Sequence, residues 1–207
     1  MRDNGRDGTG STDRPLIVKL GGSLSAHVPV LAPLLSASPR PLLIVPGGGA
    51  FANTVRAAGL DDETAHWQAI AAMEKYGRYT SAFGLPLTEK LAVPEKPVIF
   101  LPLRSLRERD PLPHSWDVTS DTISAWVAAE LGLDLLLLKS VDGIMIGGAL
   151  RERVSMPVKT DVVDPLFLPF VLEHRVETTI INGSRPELLA RFLRGEPVPG
   201  TRISTTF

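Results

Sequence analysis

Five short apolar runs punctuate the chain, over residues 16–20, 42–45, 98–101, 133–138 and 178–181. Each shows little polar alternation, the pattern of strands covered on both faces. Between them the apolar residues recur at helical spacing. The periodicity predicts helices over 50–58, 62–83, 119–131, 164–174 and 186–194. In the second, Ala65, Ala69, Ala72, Tyr76, Tyr79 and Phe83 share one face. Ser120 and Asp121 open the third, and Gly132 closes it before the run LDLLLL. Pro186 is placed in the first turn of its helix, where a missing N–H costs nothing. The stretch 106–116, LRERDPLPHSW, reads as a proline-broken loop that either lines a site or simply connects elements. Strands alternating with helices predict an α/β protein, a three-layer α/β/α sandwich with a largely parallel sheet.

Two turns in this pattern carry chemistry. The first run, LIVKL, places Lys19 in an apolar strand and leads straight into Gly21-Gly22-Ser23. A charge there is costly unless a partner compensates it. Glycines let backbone N–H groups approach a ligand closely, and a following helix start adds an anion site. On these residues alone, Lys19 either meets phosphate oxygens or reaches outward to water from a plain Gly-Gly turn. The second run repeats the arrangement, with Gly47-Gly48-Gly49 leading into a helix. Gly47, Gly49 and Ala52 also satisfy G-x-G-x-x-A, a dinucleotide fingerprint. That fingerprint requires a second strand ending in an acidic residue about 20 positions on. Asp61 and Asp62 instead open another long helix, so two facing anion loops are the better reading.

Composition narrows the class. The chain has 207 residues, enough for one domain with a core, and residues 1–14 read as a flexible lead to a single domain over 15–207. A formal net charge of −1 gives no support for nucleic-acid binding, and no apolar run approaches the length of a membrane span. Without cysteine there is no disulfide, thiol nucleophile or thiolate metal site, and the four histidines are dispersed. Neither a Walker loop nor G-x-S-x-G nor H-E-x-x-H occurs. Of the 22 basic residues only six are lysine, which makes a lysine inside a strand more pointed. A cytoplasmic location is the expectation.

The segments IVKLGGS, IVPGGGAFANTVR, VTSDTISAWVA, LLLLKSVDGI and INGSRPELLARFLRGEPVPGTRI, in this order, resemble the amino acid kinase family. That family phosphorylates small molecules with ATP and Mg²⁺. The resemblance implies that Lys19, Gly21, Gly22 and Ser23 meet ATP phosphates, and that Asp142 and Gly143 belong to the nucleotide loop. It implies an acceptor at Gly47, Gly48 and Gly49, with Asn53 and Arg56 one turn into the next helix. Asp121 matches the aspartate that orients catalytic lysines. The second lysine is either Lys159, in VSMPVK where the family has GGMxxK, or Lys139. Asn53 stands where isopentenyl phosphate kinases carry a histidine, and the full set looks most like the subgroup acting on an aminomethylfuran phosphate. The resemblance further implies a homodimer or larger homo-oligomer and a small phosphate acceptor. The glycines missing before Met156 leave open a member that binds nucleotide or oxyanions without turnover.

Overall fold

A computed structural model describes residues 14–206, so almost all of the expected N-terminal lead lies outside the described residues. The strands are β1 (Leu16–Leu20), β2 (Leu42–Pro46), β3 (Leu87–Thr88), β4 (Val98–Phe100), β5 (Asp134–Lys139), β6 (Met145–Ile146), β7 (Ala149–Leu150), β8 (Arg153–Val154), β9 (Thr178–Asn182) and β10 (Thr201–Ile203). The helices are α1 (Val28–Ser36), α2 (Gly49–Ala57), α3 (Asp62–Ser81), α4 (Leu103–Arg109), α5 (Ser120–Leu131), α6 (Phe167–Glu173) and α7 (Pro186–Leu193), with a 3-10 turn at Gly22–His27.

Eight strands form one sheet in the order β3-β4-β2-β1-β5-β9-β10-β8, while β6 and β7 make a separate hairpin. Every pairing in the large sheet is parallel except β9 with β10. The expected α/β class and the three layers are therefore observed. One apolar layer joins Ile17, Leu43, Leu135, Leu137 and Ile180 to α5 and α6. The other joins Leu16, Val18, Leu20, Leu136 and Leu138 to α1 and α7. Alternation along a strand decides which residue faces which layer. Lys19 follows Ile17 by two and Lys139 follows Leu137 by two, so both lysines project toward the α5 side.

The short strands β3, β6, β7 and β8 have no counterpart among the expected runs, and two helices depart from the sequence expectation. Residues 106–116 are not all loop, because α4 covers Leu103–Arg109 and ends at Asp110 with a left-handed φ of 44°. Pro111 and Pro113 break the chain only after that helix, whose Leu106 is anchored in the core. The second is α1, which holds Pro33 in its interior and was masked by proline. Its Val28, Leu31, Ala32 and Leu35 are fully buried, and this packing outweighs the poor local propensity.

Candidate functional site

The parallel strands β1, β2, β5 and β9 all end on one edge of the sheet, and β1 lies between β2 and β5. There the connection from β1 runs to β2 on one side and the connection from β5 leads toward β9 on the other, the kind of place where open α/β sheets hold ligands. The main chain fixes the loops at this edge. Gly21 N–H donates to Leu138 O (3.1 Å), Gly47 N–H to Leu20 O (2.8 Å) and Gly183 N–H to Lys139 O (2.7 Å).

Both expected glycine loops meet here, and their contact explains the residue type. A Cβ on Gly22 would lie 2.2 Å from Gly49 N, and one on Gly47 would lie 2.6 Å from Gly22 N. A Cβ on Gly48 would meet the Ala52 methyl at 2.2 Å, and Gly49 has φ +55°. Tyr76 braces the pair from beneath. Its hydroxyl donates to Gly21 O (3.2 Å), and its ring lies against Gly49. Burial pushes the Tyr76 phenol up, so the hydroxyl remains a donor. Gly22→Ala is accordingly expected to push the loops apart and lower kcat about 100-fold, the usual cost of a displacement near 1 Å. Steady-state kinetics beside a thermal melt would separate this from unfolding.

Behind the loops, Lys19 Nζ lies 2.8 Å from Asp121 Oδ1, and Lys139 Nζ lies 2.7 Å from Asp121 Oδ2. Lys19 and Asp121 are buried, each with a 5% exposed side chain, whereas Lys139 is 18% exposed. Burial drives the Lys19 ammonium down from its ordinary value, and the Lys139 charge adds to this while Asp121 opposes it. For Asp121, burial alone would favour the neutral acid, but the two ammoniums hold it below the usual carboxylate range. With all three ionised, these three side chains carry a net charge of +1, and the Asp164 carboxylate acts on Lys19 from further away.

A further aspartate, Asp164, holds the start of the helix that carries Asp121. Its carboxylate accepts from Thr119 N–H (2.9 Å), Thr119 Oγ1 (2.8 Å), Thr122 N–H (3.1 Å) and the Thr122 hydroxyl. It therefore satisfies the orphan amides at the start of α5, two residues before and one after Asp121. Burial pushes its carboxyl up, as does the Asp121 charge, against the pull of those hydrogen bonds. The 42 or 45 positions separating these partners leave no local signal; only the Asp-Pro step in DVVDP marks the place.

The other expected residues fall into two groups. Ser23 donates to Ser140 at 3.2 Å, linking the first glycine loop to the end of β5. Asp142 accepts from Asn182 Nδ2 (2.9 Å) and pairs with Arg185 (2.6 Å). Gly143 has φ +147°, and a Cβ there would lie 2.5 Å from Thr201 Oγ1, the hydroxyl that also receives Ile144 N–H (2.8 Å). Asn53 is exposed on α2. Lys159 is also exposed and makes no ion pair among the described residues, so the structure brings Lys139, not Lys159, to Asp121. Of the aromatic residues on α3, Tyr76 and Trp67 pack into or against the core, and Tyr79 is exposed.

On the far side of the second glycine loop a cavity opens between α2, α3 and the segment leading into α5. Gly48, Ala52, Arg56, Asp62, His66 and Trp116 are in its wall, with Ile70, Met73 and Ile123 deeper. The Arg56 guanidinium lies over the Trp116 ring, 4.4 Å from its centre. His66 stacks on His114 at 4.0 Å, and burial, aided by the His114 charge, pushes it down to about 4. His114 is raised by its hydrogen bonds to Glu63 and Asp110.

Two glycine loops thus lie over a pair of lysines sharing one aspartate, at one edge of a mostly parallel sheet. No family profile matches the chain. It is 30% identical over 214 residues to [5-(aminomethyl)furan-3-yl]methyl phosphate kinase of Methanocaldococcus jannaschii, covering 90% of this chain and 96% of that protein. It is also 30% identical over 106 residues to uridylate kinase of Methanocella arvoryzae, covering 41% and 47% respectively. Among solved structures, uridylate kinase from Archaeoglobus fulgidus superposes with a TM-score of 0.66 at 19% identity over 91% of this chain and 99% of that one. An isopentenyl phosphate kinase superposes at 0.61, with 22% identity over 91% and 100%. The chain belongs to the amino acid kinase family.

Proposed function

We propose that the chain transfers the γ-phosphoryl group of ATP to the phosphate of a small acceptor, and that this acceptor is [5-(aminomethyl)furan-3-yl]methyl phosphate. The single observation that carries the transfer is the buried Lys19–Asp121–Lys139 cluster beneath the two glycine loops. Its net positive charge lies beneath the loops that would hold the phosphoryl oxygens. In the reaction an acceptor phosphate oxygen bonds to the γ-phosphorus as the bond to the β-bridging oxygen breaks, yielding a diphosphate and ADP. The acceptor phosphate is already largely ionised at neutral pH, so no general base is required. Catalysis reduces to holding donor and acceptor in line and spreading positive charge over the transferring group.

In this reading Lys19 and Lys139 are the catalytic cations, and Asp121 keeps them ionised and aimed. Gly22 offers its amide and Ser23 its hydroxyl to ATP, Gly21 fixes that turn through its bond to Leu138 O, and Asp142 and Gly143 shape the nucleotide side. Gly48 and Gly49 offer amides to the acceptor phosphate, Gly47 holds the loop in place through its bond to Leu20 O, and Asn53 and Arg56 lie beyond. The glycines let the two loops close on each other, because a Cβ at Gly22 or Gly47 would strike the opposite loop. Magnesium fits less directly. Among the described residues no three His, Asp or Glu side chains group to hold an ion, and both Asp121 oxygens already face lysines. The ion would come with the nucleotide's own phosphates, and no step here runs through a protein-held metal. Among the described residues no helix is long and apolar enough to cross a membrane. We place the enzyme in the cytoplasm as one kinase domain that works as a homo-oligomer.

Incubation with ATP, Mg²⁺ and a panel of acceptors, followed by mass spectrometry, tests the proposal. The expected products are ADP and the aminomethylfuran diphosphate. UDP from UMP, or isopentenyl diphosphate from isopentenyl phosphate, would reassign the acceptor. No transfer to any of them would overturn the catalytic reading. Between the two candidate second lysines, Lys139→Ala is expected to slow transfer about 100-fold. Lys159→Ala should change the rate roughly threefold or less, as for an exposed side chain without a partner.

A further inference from the structure

The cavity beside the second glycine loop has unlike ends. Along α3 the residues that line it are 62, 65, 66, 69, 70 and 73, one continuous helical stripe. Five of the six are alanine, histidine, isoleucine or methionine, and the remaining one, at the first turn, is Asp62. At the other end lies Gly48, in the loop whose amides suit an anion.

The neighbours of Asp62 are all engaged elsewhere. Asp61 accepts from Thr64 N–H (2.9 Å) as the helix cap. Glu63 accepts from Trp67 Nε1 (2.7 Å) and pairs with His114, and Asp110 pairs with the other nitrogen of His114 (2.8 Å). The one guanidinium in the cavity wall, Arg56, lies on Trp116. Asp62 itself makes no hydrogen bond or ion pair among the described residues. His66, held neutral at pH 7, brings no competing positive charge to that carboxylate.

We infer that this cavity selects an acceptor with a positively charged group at the end away from its phosphate, and that Asp62 is the residue that recognises it. The inference rests on reading the cavity as the acceptor site. A phosphate at the glycine loop, a flat apolar body along Ala69 and Ile70, and an ammonium at Asp62 match the cavity end for end. An aminomethyl group on a furan ring is such an ammonium at neutral pH, like other alkyl amines. Asp62 is exposed, so water serves it when no cation is bound, and UMP and isopentenyl phosphate, which carry no cation at the corresponding end, gain nothing from it.

The test compares two acceptors, the aminomethylfuran phosphate and the analogue with methyl in place of aminomethyl, on the wild type and on Asp62→Asn. The wild type should favour the amine about tenfold or more in kcat/KM, the scale of one charge-assisted hydrogen bond. Asp62→Asn should abolish that preference through KM for the amine, with kcat and the KM for ATP retained. Asp61→Ser, which keeps a capping oxygen but removes the adjacent charge, should retain the preference. If the wild type uses both acceptors equally, or if Asp62→Asn keeps the wild-type ratio, the inference fails and the acceptor site stands. If the wild type transfers to neither acceptor, the acceptor reading fails and takes the inference with it.

Discussion

Lys19→Met is expected to lower kcat by about 100- to 1000-fold while the protein stays folded, because a preorganised charge aimed at developing negative charge contributes on that scale. Lys19 is buried in the central strand with its ammonium 2.8 Å from Asp121, so no water molecule or surface lysine can take its place. Methionine has nearly the same length and suits a strand whose other four residues are buried and apolar. The change leaves Asp121 paired with Lys139 at 2.7 Å, so no carboxylate is stranded. The melting midpoint should therefore stay within about 5 °C of wild type. A coupled assay for ADP with saturating acceptor, run beside a thermal melt, checks both halves. If Lys19 acts on the transition state, kcat and kcat/KM fall together, whereas a ground-state contact would raise KM alone.

How much of this was legible before the structure depends on the distance over which each feature is encoded. The strand β1 and both glycine loops are local statements, made by adjacent residues, and the structure places them where the pattern put them. The pairing of Lys19 with Asp121 is encoded over 102 positions, yet strand alternation already says that Lys19 faces a helix layer. Which lysine joins it is a matter of register. Lys139 shares the face of Leu137 at the end of β5, whereas the spacing to Met156 favoured Lys159 and conveyed nothing of its exposure. The helix α1 was hidden because its evidence is tertiary burial, not propensity, and α4 because prolines beyond its end dominated the reading. Asp164 stands at the head of the helix expected over 164–174, whereas α6 starts at Phe167 and Asp164 instead holds the start of α5 more than 40 residues away, a partnership with no local signal.

Asp121→Asn is expected to be the more damaging change for stability, and the reason is that it removes one charge and strands two. Asparagine keeps the shape but leaves both ammoniums in the interior facing a neutral amide, a loss of about 3–5 kcal/mol for a broken buried pair. For a chain of this size that corresponds to a drop of roughly 10 °C or more in melting midpoint. The pH dependence has a definite sign. Asp121 is held below its unfolded value of about 3.9, so its contribution is fully present above that value and is lost as the pH falls through the lower folded one. The wild type should lose stability on acidification through this region, and Asp121→Asn should have a flatter profile there. The combination Lys19→Met, Asp121→Asn, Lys139→Met removes every charge of the cluster at once. Well-packed apolar replacements for a buried ionic group are often neutral or stabilising, so this triple variant should recover most of the lost stability. It should show no transfer above background, because the site then has nothing to set against phosphoryl charge. A triple variant no more stable than Asp121→Asn would mean that the cluster organises the sheet edge by its hydrogen bonds and not by charge balance.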